Sequence, residues 1–491
     1  MIPYKTILII DRSNRQPIYL QLTHQFIDLI KSKTIPSNTK LPSSRLLSDL
    51  VGVHRKTIVA CYDELILQGW IISIPKKGTY VNSTIPELQQ QWTDNLLQSR
   101  AKISGFSFSK NDILQRTFPQ AFQDDFIYVN DGVSDERLTP IKELATIYRK
   151  LAGKKETLKH IGYGTTFGNL KLREVLVEYL NETRGLNITI DNILITRGSQ
   201  MGMFLASQLL IENEEYFIIG ETNYSSADTT FQYANAKLLR VKVDENGLDT
   251  KAIEQLCRRY NVKAVYTTSH HHHPTTVTLS AERRMHLLNL AKTHSFAVLE
   301  DDYDYDFHYN HAPILPLASH DTNGNVIYVG SICKTVAPVF RVGYLIASKD
   351  FVDECANLRR FIDRQGDAVL ELTFAHFIKE GSLDRHINKV VRAYKDRRDF
   401  FCEYLKQELG DYLSFKTPKG GMAIWVTLNK KYSWKEVVKI AAQNKLIFSE
   451  WQRYDSANTN HNAVRIGFAR YTKEEAKEFV LRLKKTILQL V

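Results

Sequence analysis

Ser331, Lys334 and Arg341 lie in residues 328–344, which read Y-V-G-S-I-C-K-T-V-A-P-V-F-R-V-G-Y, just past an apolar run at 326–329. The run reads as a buried strand ending at Gly330. A lysine just past a strand end is well placed to form an imine with an aldehyde. A hydroxyl three residues before it and a guanidinium seven after it can hold a phosphate, the guanidinium as a fork. An aldehyde and a phosphate on one small molecule suggest pyridoxal 5′-phosphate (PLP). Taken alone, the same pattern also describes solvated surface charges.

Chemistry of that kind needs strand ends to hold it. From about residue 126 strands and helices alternate, the pattern of an α/β layer fold. A strand at 193–196 leads into Arg197-Gly198-Ser199-Gln200 and a helix from about Met201. Gly198, Ser199 and Gln200 there offer backbone N–H groups to a phosphate. A strand at 216–220 is followed by Tyr224, an aromatic ring at a strand end. A third strand, 296–300, runs into Asp301-Asp302-Tyr303-Asp304-Tyr305-Asp306. Such carboxylates can be solvated or bind Mg²⁺. Neighbours on extended chain point oppositely, however, so the four aspartates cannot converge on one ion. Under a pyridine ring, Asp301 would keep the ring nitrogen protonated, and Tyr303 would hydrogen-bond the ring's phenolic oxygen. Four consecutive histidines, His270 to His273, can place at most two side chains on one metal. No metal is expected. One or two of them are expected to line the cofactor pocket, His272 first. Residues 350–364 and 383–409 read as long helices, followed by a small α/β subdomain with a strand at 420–425 and another carrying Arg465.

The front of the chain has a different character. Of the formal net charge of +11 over 491 residues, +6 lies in residues 1–81. That bias fits a polyanionic partner. Apolar residues recur at helical spacing at Ile18, Leu22, Phe26 and Leu29/Ile30, and Pro36-Ser37-Asn38 is expected to break that helix. A short helix follows Leu41-Pro42, capped by Ser43 or Ser44. After Gly52 a third helix spans about 54–68, with Gly69 closing it. The W-I-I-S-I-P-K-K-G-T-Y-V stretch reads as a hairpin with a basic tip. Together these make a winged helix-turn-helix for double-stranded DNA. Its expected contacts are Ser44, Arg45, His54, Arg55, Lys56 and Thr57, with Lys77 and Gly78 in the wing. Periodicity fades over 82–125, read as a long linker with scattered apolar residues such as Trp92 and Leu96.

Composition limits the alternatives. With 43% hydrophobic residues the chain can bury a large core, and no apolar run is long enough to span a membrane. Five scattered cysteines and no signal-peptide pattern at the first residues point to a reducing cytoplasm.

From about residue 126 to the end, the order of phosphate turn, stacking tyrosine, aspartate, tyrosine and S-x-x-K with a following arginine resembles the fold-type I aminotransferases. The resemblance implies that Lys334 is the Schiff-base lysine and that Ser331 and Arg341 bind the cofactor phosphate. It also implies that Tyr163 reaches the phosphate of a neighbouring subunit and that Arg465 takes an amino acid's α-carboxylate. Residues 269–274 occupy the segment that supplies an asparagine beside the cofactor in that family. Residues 17–81 resemble the GntR-type reader: Leu41-Pro42-Ser43-Ser44-Arg45, Val53-His54-Arg55-Lys56-Thr57-Ile58 and Gly78-Thr79-Tyr80-Val81 keep its pattern. The whole chain resembles the MocR/GabR group of regulators, with Glu300-Asp301-Asp302-Tyr303-Asp304 as its signature stretch. Departures are His54, Gln68, Thr222, Thr276 and Cys333, the last standing where serine is usual.

The expected organisation is a reader domain at 10–81, a linker at 82–125 and an aminotransferase-like domain at 126–491, its C-terminal subdomain from about 380. The fold class is α/β behind a winged helix-turn-helix. The expected function is a PLP-dependent transcription regulator that senses PLP or a PLP–amine adduct. The alternative is a working aminotransferase with a DNA-binding arm. A homodimer, swapped so that each reader rests on its partner, is expected in either case.

Overall fold

The computed structural model describes residues 2–85, 104, 106–114, 125–213, 215–309, 314–332, 334–448, 451–455, 459 and 461–490. Most of the expected linker, with Trp92 and Leu96, and Cys333 lie outside the described residues. The chain divides into two compact units, Met1–Ser109 and Lys110–Val491.

Among the described residues the first unit has three longer helices, one four-residue helix and a hairpin. Helix Ile18–Lys31 turns Leu22, Phe26, Ile27 and Ile30 into the core, helix Ser44–Val51 adds Leu47, and helix Arg55–Leu67 adds Ile58, Cys61, Tyr62 and Leu65. Ser43 is the cap of the second helix: its hydroxyl accepts from the Leu46 N–H at 3.3 Å. Gly52, at φ +70°, makes the left-handed turn between the second and third helices. The first helix stops at Lys31, before the proline expected to break it, because Ser32 caps it and Lys33 turns left-handed at φ 60°. Strands Ile71–Ile74 and Gly78–Val81 pair antiparallel, with Lys76 and Lys77 in the turn. A short helix, Tyr4–Ile7, places Tyr4 and Leu8 in the same core, so the unit packs residues ahead of the expected start at residue 10. Four residues are too few to show a helical period.

The second unit is built on a seven-stranded sheet. Its order is Ile193–Thr196, Gly343–Ile346, Val326–Ser331, Ala297–Asp302, Val262–Thr267, Tyr216–Gly220, Lys237–Val241. Only Gly343–Ile346 runs antiparallel to its neighbours. Alternate residues go to opposite faces. Val298, Tyr328 and Ile195 enter one core, while Leu299, Val329 and Leu194 enter the other. With both faces covered, the strands read as unbroken apolar runs. The carboxyl ends of the six parallel strands gather on one edge, where open α/β sheets bind ligands.

The C-terminal subdomain has an antiparallel sheet of Leu413–Phe415, Ala423–Leu428 and Ala463–Gly467, packed with helices Ser382–Leu409 and Lys473–Leu488. Strand Ile127–Val129, expected to open the large domain, pairs instead with Leu446–Phe448 of this subdomain. Helix Lys349–Arg359 is shorter than expected, and helix Ala368–Lys379 was not expected at all. Its apolar residues are buried on several sides, so no amphipathic stripe announces it. Among the described residues no helix is long and apolar enough to cross a membrane.

Candidate functional site

One cavity opens at the carboxyl edge of the large sheet. Ser199, Gln200, Tyr224, Asp301, Tyr303, Ser331, Lys334 and Arg341 line it, joined by Asp131, Tyr266, Thr268, His273 and Pro338. Residues spread over more than 200 positions meet because each follows, or sits on, a strand whose end faces the same way.

Gly198 lies just behind the lining. It holds φ +78° as the residue before helix Ser199–Leu210, so that the first N–H groups of the helix face the cavity edge. A Cβ built on it would lie 2.7 Å from the Arg341 guanidinium, which donates to the Arg197 carbonyl at 2.6 Å. Turn and guanidinium therefore form one packed anion cradle. Gly198→Ala is expected to push Arg341 away and to weaken the hold on a phosphate-bearing ligand about tenfold or more, read by PLP titration.

Asp301 is 3% exposed. Its Oδ2 accepts from the Tyr266 hydroxyl at 3.0 Å, whereas its buried Oδ1 has no partner. Burial, opposed by the Tyr266 hydrogen bond and aided by Asp302 and Asp304, pushes the carboxyl up to about 7. The folded chain thus binds this proton more tightly than the unfolded chain does. The resulting stabilisation is present below about pH 4 and is lost as pH rises through about 7. Asp301→Asn should remove that slope, worth up to about 4 kcal/mol, in thermal melts of PLP-free protein between pH 4 and 8.

At the other end of the cavity, the Lys334 amine donates to the Gly132 carbonyl at 2.9 Å and lies 5.8 Å from the centre of the Tyr303 ring. The Tyr303 hydroxyl donates to the His271 carbonyl at 2.9 Å and accepts from Arg465 at 3.3 Å. Arg465, 2% exposed, also donates to the Asp131 carbonyl at 2.6 Å and the Pro274 carbonyl at 3.0 Å. Its strand pairs it with Trp425 in the subdomain sheet, so this guanidinium ties the two parts of the unit together.

Among the histidines the expected one is not in the cavity. His272 turns away and its Nδ1 meets the Thr275 hydroxyl at 3.1 Å. His273 lines the cavity, its ring 5.0 Å from that of Tyr224 and its Nε2 3.4 Å from the Asp131 carboxylate. After strand Val262–Thr267 the chain bends at 270 and 271 and turns at 273, so strand alternation does not decide which histidine faces the cavity. Burial pushes His273 down to about 4, against the pull of Asp131, so the ring is neutral near pH 7.

The acidic run is distributed in the same way. Asp301 faces the cavity, Asp302 accepts from the Tyr328 hydroxyl and lies 3.4 Å from His270, Asp304 pairs with His271 at 3.0 Å, and Asp306 pairs with Arg184 at 2.9 Å. Burial works against the charged form of Asp302, but His270 outweighs it and holds this carboxyl down to about 2. Tyr163 is not brought to this cavity: it is 86% exposed, with the Arg364 guanidinium 4.5 Å from its ring centre.

In the first unit, Arg45, His54, Arg55, Lys56, Lys77 and Gly78 are exposed, while Ser44 and Thr57 are half-buried. The His54 Nδ1 accepts from the Lys56 N–H at 3.2 Å. His54 thus does the capping work that a serine does, and Arg55 reaches back to the Ser44 hydroxyl at 3.4 Å. Lys40 joins this basic surface. It bridges to Tyr80 beside the wing, with its amine 5.9 Å from that ring's centre. Sequence spacing alone gave no reason to single it out.

This is a two-part architecture: a winged DNA reader followed by a fold-type I aminotransferase-like domain. Residues 131–483 match the family model for aminotransferase class I and II, and residues 18–81 match that for bacterial regulatory proteins of the gntR family. The chain belongs to the aminotransferase class I and II family, whose members bind PLP, and with its gntR-family domain it is a regulator of the MocR type. An uncharacterized HTH-type transcriptional regulator, YisV of Bacillus subtilis, is 25% identical over 93% of each chain. The HTH-type transcriptional regulator NorG of Staphylococcus aureus is 25% identical over 90% of this chain and 98% of its own. The kynurenine aminotransferase of Pyrococcus horikoshii, solved in complex with PMP, superposes with a TM-score of 0.70 at 26% identity, covering 75% of this chain and 92% of that one. The protein is accordingly a GntR-type, DNA-binding transcription regulator with an aminotransferase-like domain.

Proposed function

We propose that the aminotransferase-like domain of this regulator holds PLP and that PLP, or PLP joined to an amine, controls operator binding. The observation that carries this reading is the partnerless, buried Asp301 oxygen at the end of a cavity that also holds the Lys334 amine and the Gly198–Arg341 cradle. The residues fit the cofactor at three points: phosphate, ring nitrogen and aldehyde. Bound there, PLP supplies an aldehyde that joins amines reversibly and a ring that draws electrons when its nitrogen is protonated.

In this reading the chain's own residues do the rest. The helix N–H groups at Ser199 and Gln200, with Ser331 and Arg341, hold the phosphate. Asp301 would keep a proton at the ring nitrogen, Tyr224 and His273 would lie against the ring, and Tyr303 would offer its hydroxyl to the ring oxygen. Lys334, whose amine the Gly132 carbonyl now holds, would be the residue to join the aldehyde. Arg465 offers a fork to a carboxylate. Residues 10–81 act as the reader and 126–491 as the sensor. Arg45, Arg55, Lys56 and Thr57 meet the duplex with the wing at Lys77-Gly78, and a small amine or amino acid is the effector. A homodimer, swapped at the readers, suits two half-sites. The exposed Tyr163, Val339 and Phe361 are what a second copy would cover.

The reader in the same chain favours regulation over turnover. Product assays with an amine panel, run beside operator binding, separate the two: multiple turnover without any effect on operator binding would favour the enzyme reading. Arg55→Ala should lower the salt slope of operator binding by about one unit; unchanged affinity and slope would remove Arg55 from the interface.

A further inference from the structure

The pocket contains one charged group that the PLP reading does not employ. Asp131 lines the cavity with its side chain 43% exposed, two residues past strand Ile127–Val129. Its carboxylate faces His273 at 3.4 Å, and its backbone carbonyl is held by Arg465 at 2.6 Å, which fixes where the side chain begins. The next carbonyl, that of Gly132, takes the Lys334 amine. Asp131 is therefore the chain neighbour of the carbonyl that holds the reacting lysine.

The charges can be followed through loading with PLP. Arg341 would face the phosphate, Asp301 the ring nitrogen, and Lys334 the aldehyde. Two groups remain at the effector end, the Arg465 guanidinium and the Asp131 carboxylate. The partner that Asp131 now faces, His273, is neutral, because burial holds it far below the physiological range. Once Lys334 joins the aldehyde it ceases to be a compensating cation. Among the described residues Arg465 is then the one cation left to compensate the carboxylate, and an effector carboxylate would compete for it, so a second cation on the effector restores the balance.

We propose that Asp131 is a specificity-determining residue and that the effector carries a second cationic nitrogen beside the amine that reacts, paired with this carboxylate. The proposal rests on the PLP reading and adds a ligand class to it. Such a ligand is a diamine or a basic amino acid. In either case the incoming nitrogen bonds to the aldehyde carbon as the Lys334 nitrogen leaves it. Two protons pass from the incoming ammonium to the departing Lys334 nitrogen, which leaves as an amine, and no oxidant or reductant is needed.

The test uses full-length, PLP-loaded protein and matched ligand pairs differing only in the second nitrogen: cadaverine against pentylamine, and lysine against norleucine. The first pair reports a diamine and the second a basic amino acid. The visible band of PLP on Lys334 is read first in every protein, and its change on titration gives the affinity. The cationic member of at least one pair should bind about tenfold or more tightly than its apolar match, and Asp131→Asn should erase that preference. Equal binding within both pairs in the wild-type protein, or a preference that survives Asp131→Asn, overturns the proposal. Absence of the Lys334 band in the wild-type protein is a different failure, that of the PLP reading itself.

Discussion

Lys334→Ala protein, incubated with PLP and reduced with borohydride, is expected to carry no covalent label and to show no visible imine band. The effect should be complete, because no other lysine among the described residues lines the cavity. Noncovalent affinity for PLP should fall but not vanish. Gly198 and Asp301 come from other elements, and Arg341 is held by the Arg197 carbonyl, so none of them depends on this amine. Peptide mapping of the reduced wild-type protein should find the label on Lys334 alone. A label retained by Lys334→Ala at one site and at full stoichiometry would move the attachment point elsewhere.

Arg465→Ala has the second largest expected effect, and it acts on two levels. The guanidinium is buried and satisfies the Asp131 and Pro274 carbonyls and the Tyr303 hydroxyl. Truncation leaves these acceptors without their donor and opens a void, which should cost about 2–4 kcal/mol of stability in denaturant titrations. The response to any carboxylated amine should be lost, while borohydride still labels Lys334. Arg465→Lys keeps the charge but not the fork, so it should restore part of the stability and little of the carboxylate response. A normal response in Arg465→Ala to a carboxylated effector would show that its carboxylate is held elsewhere.

Legibility in the sequence followed the reach of each signal. The reader's helices and the strands at 193–196 and 216–220 could be read because periodicity, glycine turns and caps are local. The cavity's principal residues could be read because each sits at or just past a strand end, and the resemblance to the fold-type I aminotransferases joined Gly198, Tyr224, Asp301 and Lys334 into one site. Asp131 and Tyr266 could not. Tyr266 lies inside an unbroken apolar strand, and only its cross-strand position beside Asp301 gives its hydroxyl a purpose. Asp131 belongs to a segment joined to the C-terminal subdomain by the pairing of Ile127–Val129 with Leu446–Phe448, a contact across more than 300 residues. That His273 and not His272 faces the cavity could not be read, because the segment bends and turns beyond strand Val262–Thr267 and four identical residues carry no local signal.

The central claim is that the occupant of the Lys334 cavity alters DNA binding. A near-complete switch requires an affinity difference of about 5.5 kcal/mol between two states of the protein, and a tenfold change about 1.4 kcal/mol. The most direct measurement is the affinity of full-length protein for an operator duplex, selected from a random library, with and without PLP and with each amine of the panel. The account predicts at least a tenfold change in affinity, or a change in the bend of the bound duplex, on loading the cavity, and loss of that change in Lys334→Ala. Operator affinity and bend that stay the same under PLP and every amine, in protein whose Lys334 is shown to be labelled, would contradict it.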